Sequence, residues 1–398
     1  MEEARASMEA KANANDVRIV DDLRITGYPR PDGQVGIRNW VAIIYSVACS
    51  EVVARRVHSL FPQGTVLFGI PQGCHWTQSR YDKIVALGRH PNVAGAVVIG
   101  LGCEGTEAHL IAEDIAKTGK PAESLTIQAT GGDLKTIEAA SRMVAQMLQH
   151  ASLIQRSVEI TPADLIVGAE CGGSDATSGL TSNPAVGVAA DLLIEAGGTF
   201  MIEETSELLG TGQILAERSI APEVARAIQD LIHEAERQSY SRGWFSIGLG
   251  NILGGLTTIE EKSAGCLSKA GSKPLQGVIT SFTNPPGKGL YIQDPPADSF
   301  TGDGDPQGIM GMAGSGAHLA LFTTGCGSVT GGVVVPVIKI CGNPASCARI
   351  ADNLDIDASP VMRGEKTVRE IGEEIYREIL AVAAGKLTKS EIMGHFED

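Results

Sequence analysis

The chain has 398 residues, which is too long for one ordinary hydrophobic core, so two or three domains are expected. Its 48 glycines and its low aromatic content of 4% indicate many tight turns, as in an α/β enzyme. The formal charge of −15 disfavours nucleic acid and anionic membranes as partners, and no segment reaches the roughly 18 apolar residues of a membrane span. The charged N-terminal residues lack the apolar core of a signal peptide, so a cytoplasmic protein is expected.

Apolar runs alternate with segments of helical spacing from residue 40 onward. In the first half of the chain the predicted strands are residues 40–47, 65–70, 93–101 and 124–129, and the predicted helices are residues 50–60, 76–90, 106–119 and 133–151. In the second half the predicted strands are residues 163–169, 199–202, 318–324 and 333–340, and the predicted helices are residues 184–196, 206–242, 259–270 and 367–384. Residues 247–258 and 284–308 read as loops, the latter around one short strand.

This alternation predicts an α/β fold of two consecutive parallel-sheet, Rossmann-like domains. A disordered tail over residues 1–24 would precede a first domain over 25–158 and a second over 159–398 that carries the catalytic loops. Ligands of such sheets bind outside the carboxyl ends of the strands, so the active site is expected there.

Five of the eight cysteines follow predicted strands, namely Cys49, Cys74, Cys103, Cys171 and Cys326. Cys266, Cys341 and Cys347 are interpreted as packing residues. The run ECGGSDATSGLTSN (170–183) is a strand-to-helix loop whose glycines let backbone N–H groups face an anion. An ordinary hydroxyl-rich turn with a helix cap is the alternative.

Cys, His and Glu side chains converging on one cleft suit a divalent metal, with Fe²⁺ expected first and Mn²⁺ or Zn²⁺ as alternatives. Such an ion chelates a hydroxy acid and stabilises the enediolate formed when the C2 proton leaves, which describes a lyase acting on a small hydroxy-acid substrate. An iron–sulfur cluster is a weaker alternative, because the cysteine spacings fit no cluster motif. No P-loop or nucleophile elbow is present, and a nucleotide-binding enzyme is only a distant alternative.

The candidate site residues fall into three groups. They are His75, Glu104, Asp175 and Glu204 as catalytic groups, Cys74, Cys103 and Cys171 as metal ligands, and Arg38, Asn39, Gly172, Gly173, Ser174, Thr177 and Asn183 as substrate-binding residues. Arg38 and Asn39 fit a structural ion pair equally well, and Glu203 with Glu204 fits a solvated pair. Lys262 and Lys269 are surface charges by default, although either suits a base.

Six long stretches give the chain a family resemblance. They are GYPRPDGQVGIRNW (27–40), RHPNVAGAVVIGLGCE (89–104), CGGSDATSGLTSNPAVG (171–187), ETSEL (204–208), GNILGGLTTIEEKS (250–263) and TTGCGS followed by PVIKICGNP (323–344). With these motifs the chain resembles the large, catalytic part of the altronate/galactarate dehydratase family. The resemblance implies a metal-dependent lyase that removes water from a sugar acid to give a 2-keto-3-deoxy acid.

The resemblance also implies a partner and an alternative reaction. The family's small N-terminal module is absent before residue 27, so a separate small subunit is expected to supply it, in an oligomeric enzyme. A related branch resembles the sulfolactate sulfo-lyase large subunit and eliminates sulfite instead of water. The cysteines of GCH and LGCE and the double glycine at 172–173 favour the dehydratase branch. GCHW (73–76) and TTGCGS (323–328) depart from the usual dehydratase pattern, and a non-catalytic binding subunit is the third interpretation.

Overall fold

The computed structural model describes residues 24–71, 74–75, 77–203, 205–294 and 304–397. Except for Arg24, the predicted tail over residues 1–24 lies outside this part of the chain. The described strands, β1 to β14 in chain order, are Thr26–Pro29, Val35–Gly36, Trp40–Tyr45, Thr65–Gly69, Val93–Gly100, Ala122–Thr126, Val158–Glu159, Ile166–Cys171, Thr199–Ile202, Leu275–Thr280, Gly289–Asp294, Leu319–Thr324, Val337–Cys341 and Ile356–Asp357.

The α-helices of the same residues alternate with these strands over most of the chain. In order, α1 to α14 are Ala48–Leu60, Gln78–Arg89, Ala108–Ala116, Ile127–Thr130, Asp133–Leu153, Ser182–Glu195, Gly212–Glu217, Pro222–Arg242, Leu249–Leu253, Ile259–Ser268, Asp305–Gly314, Pro344–Arg349, Val368–Ala383 and Lys389–Met393. No helix among the described residues combines the length and the apolar character needed to cross a membrane.

Strands β3 to β6 form a four-stranded parallel sheet in the order β4-β3-β5-β6. Every residue of β5 is buried, because helices cover both faces of the sheet. Helices α1 and α5 pack on the face that carries Ile43 and Val97, and α2 and α3 pack on the face that carries Ile44 and Val98. Successive residues of one strand therefore belong to different cores.

A seven-stranded parallel sheet has the order β10-β11-β9-β8-β12-β13-β14. Helices α6, α8 and α13 cover one face, where Val167 and Leu321 belong to the core. Helix α11 covers the other face, which carries Met201 and Phe322. That second face shares one continuous hydrophobic cluster with α2 and α3, so the two parallel sheets are joined through apolar packing. The predicted α/β class with parallel sheets is confirmed.

The fold differs from the sequence prediction in several places. A small antiparallel sheet, β2-β1-β7, was missed because its strands have only two to four residues. Strand β10 was also missed, and α11 begins inside a segment that the proline and glycine content marked as a loop. The glycine-rich run at 247–258 contains the one-turn helix α9.

Candidate active site

The loop that follows β8 lies at the carboxyl end of the seven-stranded sheet, against the loops that follow β12 and β13. The backbone N–H of Gly172 donates to the Thr323 carbonyl at 2.9 Å, and that of Cys326 donates to the Gly173 carbonyl at 2.8 Å. A side chain at Gly172 would meet the Phe322 ring at 2.6 Å, so glycine is needed for this close approach. The structure thus brings Gly172, Gly173, Ser174, Asp175, Thr177 and Asn183 into one loop and the helix start that follows it.

Asp175 organises this loop from a buried position. Its Oδ1 accepts hydrogen bonds from the Thr177 hydroxyl at 2.6 Å and from the backbone N–H groups of Thr177 and Ser178. Its Oδ2 accepts from Nδ2 of Asn343 at 2.6 Å, which ties the loop to the one that follows β13. A Cβ added to Gly325 would lie 2.0 Å from Oδ1. In this arrangement both carboxylate oxygens of Asp175 hold the loop in shape.

Cys171, at the end of β8, belongs to a buried charged cluster. Its thiol donates to Oε2 of Glu207 at 2.9 Å and lies 3.3 Å from the Ser174 hydroxyl. Oε1 of Glu207 is 2.5 Å from Nζ of Lys262. Burial acts to raise the pKa of Glu207, but the positive charges of Lys262 and Lys269 outweigh it and lower the pKa. Glu207 is therefore held as a carboxylate inside the site.

Asp305 is a second carboxyl group near this cluster, in the first turn of α11. Its Oδ2 lies 3.1 Å from the point that a Cβ on Gly172 would occupy. Burial raises the pKa of Asp305, and the negative charge of Glu207 raises it further against the opposing charges of Lys262 and Lys269. Two nearby carboxyl groups whose pKa values move in opposite directions are the usual arrangement of a general acid–base site.

Two more buried carboxylates approach α11 from the end of the sheet. A Cβ on Gly308 would lie 2.2 Å from Oε2 of Glu170 and 3.0 Å from Oε2 of Glu203. Gly308 therefore allows both side chains to lie against the helix. The solvated pair considered for Glu203 and Glu204 is wrong for Glu203, which is buried, whereas Glu204 lies outside the described residues.

Glu104, another of the predicted catalytic residues, lies in the loop at the carboxyl end of the four-stranded sheet. Glu104 accepts hydrogen bonds from the Ser46 hydroxyl at 2.7 Å and from the backbone N–H groups of Leu101, Gly102 and Cys103. Burial acts to raise the pKa of Glu104, but these hydrogen bonds outweigh it and lower the pKa. The carboxylate is fully engaged in shaping its own loop.

Cys74, His75 and Cys103 are exposed next to that loop. The backbone N–H of Gly105 donates to the Cys74 carbonyl at 3.2 Å, so the two loops touch. Nζ of Lys83 in α2 donates to Gln307 of α11 at 2.9 Å.

Helix α2 of the four-stranded sheet packs against helix α11 of the seven-stranded sheet. Lys83, in the middle of α2, donates to Gln307 in the first turn of α11, and Ala86 lies beside Gly314 at the end of α11. The two helices therefore pack against each other and join the two sheets.

Arg38 and Asn39 lie just before β3, at the amino end of their sheet and away from these loops. The Arg38 guanidinium is buried and forms two hydrogen bonds with the Glu391 carboxylate, at 2.6 and 2.8 Å. The Asn39 side chain donates to the Ala151 carbonyl and accepts from Arg30. Both side chains join separate segments of the chain. This agrees with the structural interpretation of Arg38 and Asn39 and not with substrate contact.

The cysteines predicted as metal ligands are not brought together. Cys171 is buried and bonded to Glu207, whereas Cys74 and Cys103 are exposed at the other sheet. Among the described residues no three His, Cys, Asp or Glu side chains form a group that could hold a metal ion. Cys74, Cys103 and Cys171 therefore do not form one common ligand set in the described part of the chain.

A cavity of about 350 Å³ opens beside the charged cluster. Its lining includes Ser174, Asn183, Glu207, Lys262 and Cys266. Nδ2 of Asn183 donates to the Gly265 carbonyl at 3.1 Å, which fixes α6 against α10 at this wall. The cavity gives a small polar molecule access to the residues around Glu207.

The sequence pattern does not identify Glu207 or Asp305, and it assigns Lys262 and Lys269 to the surface by default. That default is wrong, because the two lysines are only 7% and 0% exposed. Glu207 lies in a stretch whose pattern predicts a charged surface helix, and Asp305 lies in one whose composition predicts a loop. The ETSEL motif contains Glu207 and is the signal that pointed toward it.

A charged acid–base cluster at the carboxyl ends of parallel strands is typical of α/β enzymes. Residues 27–152 match the family described as D-galactarate dehydratase/Altronate hydrolase, second domain, and residues 162–398 match D-galactarate/Altronate dehydratase, C-terminal. The chain belongs to the D-galactarate/altronate dehydratase family, which confirms the resemblance found in its motifs.

Three relatives show the range of reactions in the family. The chain is 35% identical to the (2R)-sulfolactate sulfo-lyase subunit beta of Chromohalobacter salexigens, over 93% of this chain and 95% of the relative. It is 32% identical to the galactarate dehydratase (L-threo-forming) of Escherichia coli, over 90% of this chain and 72% of that relative. It is 29% identical to the altronate dehydratase of the same organism, over 93% of this chain and 76% of that relative. The relatives are named as dehydratases or lyases, and this chain is an enzyme of the lyase class.

Proposed function

We propose that the chain catalyses β-elimination from a small 2-hydroxy acid. A base removes the proton from C2, the bond from C3 to the leaving group breaks, and the resulting enol becomes a 2-keto acid. The observation that carries this proposal is the pairing of Glu207, whose pKa is lowered, with Asp305, whose pKa is raised, beside the Gly172 loop.

Each carboxyl group has a distinct role in this proposal. Asp305 exchanges the proton with the substrate, because a raised pKa brings a carboxylate closer to the working pH of a general base. Glu207 stays ionised and fixes Lys262 and the Cys171 thiol around the cavity. Asp175 keeps the glycine-rich loop in the shape that receives the substrate.

Sulfite is the leaving group that we favour, with (2R)-sulfolactate as substrate and pyruvate as the other product. The support is the 35% identity to a sulfolactate sulfo-lyase subunit over 95% of that relative. This choice departs from the preference for dehydration drawn from the motifs.

Dehydration of a sugar acid is the second candidate. The identity of 32% to galactarate dehydratase and 29% to altronate dehydratase supports it. The chemistry differs only in the group that leaves C3, since loss of water gives a 2-keto-3-deoxy acid.

A second subunit is part of the proposal. The sulfo-lyase relative is named subunit beta, so that enzyme has more than one kind of subunit. We propose that the present chain works with a separate small subunit in an oligomer. A divalent metal and a cytoplasmic location stay predictions from the sequence. Elemental analysis of the purified complex and cell fractionation test them.

The experiment is a substrate panel on the anaerobically purified complex with its co-encoded small subunit. (2R)-Sulfolactate, galactarate and altronate are supplied separately, and sulfite and 2-keto acids are measured. Sulfite with pyruvate supports the favoured reaction, and a keto acid from galactarate or altronate without sulfite supports dehydration. No turnover of any of the three contradicts the enzyme assignment proposed here.

A further inference from the structure

Arg349, the last residue of α12, lies exposed at the edge of the candidate active site. One guanidinium nitrogen, Nη2, donates to the Cys326 carbonyl at 3.1 Å and lies 3.4 Å from the Ser346 hydroxyl. No carboxylate of the described residues lies within 4 Å of this guanidinium as an ion-pair partner. Its remaining N–H donors are therefore available to a ligand.

The Cys326 contact places the guanidinium next to the glycine-rich loop. The backbone N–H of Cys326 donates to the Gly173 carbonyl at 2.8 Å, and a Cβ on Gly173 would lie only 3.1 Å from that of Cys326. In the described part of the chain, the backbone N–H groups of Gly173 and Ser174 donate to no acceptor. The loop that carries these two amide donors therefore contacts Cys326, the residue whose carbonyl accepts from Arg349.

The charges around the cavity explain why a further cation is needed. Asp175, Glu207 and Glu261 line the cavity with carboxyl groups, and the whole chain carries a net charge of −15. Asp305 lies near Glu207, outside the lining of the cavity. The ammonium of Lys262 is already within 2.5 Å of a Glu207 oxygen. An acidic substrate that approaches this site is repelled unless a positive group meets it at the entrance.

We propose that Arg349, together with the N–H groups of Gly173 and Ser174, forms an anion subsite that binds the acidic group of the hydroxy-acid substrate. This inference rests on the proposed function, because the substrate of that reaction carries a carboxylate and, in sulfolactate, a sulfonate. Arginine suits both groups, since its planar fork makes two parallel hydrogen bonds to their oxygens.

The test compares Arg349→Gln and Arg349→Lys with wild type in the complete complex. Arg363→Gln is the matched control, because the Arg363 guanidinium already pairs with the Glu365 carboxylate. Calorimetry with malate measures binding without turnover, since malate replaces the sulfonate of sulfolactate by a carboxylate. Steady-state kinetics with sulfolactate and galactarate measure KM and kcat.

Loss of a charge-assisted bidentate contact should raise the Kd of malate and the KM of the active substrate by about tenfold or more in Arg349→Gln. The kcat should change less than about threefold, because the contact is equal in the ground and transition states. Arg349→Lys should recover part of the loss, and Arg363→Gln should match wild type.

Three outcomes overturn the inference and are distinguishable from one another. If wild type binds malate and Arg349→Gln binds it within about twofold, the anion subsite is wrong and the proposed function stands. If wild type neither binds malate nor turns over any substrate, the proposed function fails and the subsite with it. A fall in kcat and in thermal stability at unchanged Kd would assign Arg349 a structural role.

Discussion

Nζ of Lys262 lies 2.5 Å from Oε1 of Glu207, and the two side chains are only 7% and 9% exposed. The residues are 55 positions apart in the chain, so the pair ties the segment after β9 to helix α10. It also fixes the acceptor of the Cys171 thiol and the charge that faces Asp305. The geometry of the candidate site depends on this one buried ion pair.

Removing one partner of this pair should destabilise the protein. Glu207→Gln leaves the Lys262 ammonium buried without its carboxylate, at an expected cost of about 3 kcal/mol in the free energy of unfolding. Urea unfolding measures it. The double variant Glu207→Gln with Lys262→Met should recover part of the loss. Glu138→Gln, from an exposed helical pair with Arg142, should show no measurable change. An equal loss of unfolding free energy in Glu207→Gln and Glu138→Gln would contradict the stabilising role of the buried pair.

The same pair predicts a pH dependence of stability. The pKa of Glu207 is lowered from its ordinary value of 4.5, so the folded state keeps this group ionised where the unfolded state takes up a proton. Its contribution is present above pH 4.5 and is lost as the pH falls toward the lower pKa of the folded state. Between pH 7 and pH 3, the free energy of unfolding should therefore decrease less for Glu207→Gln than for wild type. An equal decrease in the free energy of unfolding of the two proteins would contradict the lowered pKa of Glu207.

Asp305→Asn should lower kcat by about 10²- to 10⁴-fold, because the variant cannot accept the C2 proton. Thermal stability at pH 8 should stay equal or rise, since burial and the charge of Glu207 disfavour the ionised carboxylate at this position. Asp352→Asn, at an exposed residue, is the control. The kcat of wild type should fall on acidification through a pKa above 3.8. Turnover by Asp305→Asn within about threefold of wild type would remove Asp305 from the mechanism.

Gly325→Ala should disrupt the glycine-rich loop. The new Cβ would lie 2.0 Å from Oδ1 of Asp175, which must then leave the hydrogen bonds to Thr177 and Ser178. Gly250→Ala adds the same atom on α9, where nothing lies within 4 Å. Malate affinity should be lost in the first variant and kept in the second. Equal affinities in the two variants would show that the Asp175 network does not shape the site.

Arg38→Gln should lower stability and leave the kinetics of the folded enzyme unchanged. The variant removes a buried bidentate pair with Glu391 and a hydrogen bond to the Val382 carbonyl, at a cost of about 3 kcal/mol. Arg55→Gln, from an exposed pair with Glu51, should cost less than about 1 kcal/mol. A selective rise in KM for Arg38→Gln would restore the substrate-contact interpretation.

The sequence predicted the parallel sheets because their strands, such as β5, are apolar at nearly every position and cannot be mistaken for surface segments. It placed the loop at 172–183 at a strand end for the same reason. It did not find the Glu207–Lys262 pair, since a buried charge looks like a surface charge until a distant partner is known. Asp305 was missed because α11 begins among glycine, proline and aspartate residues, which favour turns when tertiary packing is ignored. Arginine is common in anion-binding sites, so the sequence suggests substrate contact for Arg38. Only the three-dimensional position of Glu391 reveals that Arg38 has a structural role.

The most direct test of the account is the product balance for (2R)-sulfolactate with the anaerobically purified complex. Sulfite and pyruvate are measured in the same reaction for wild type and for Asp305→Asn. β-Elimination at this site predicts equal amounts of the two products from wild type, and formation at least about 100-fold slower in the variant. If wild type forms neither product from sulfolactate and no keto acid from galactarate or altronate, the account of this site as a lyase centre is contradicted.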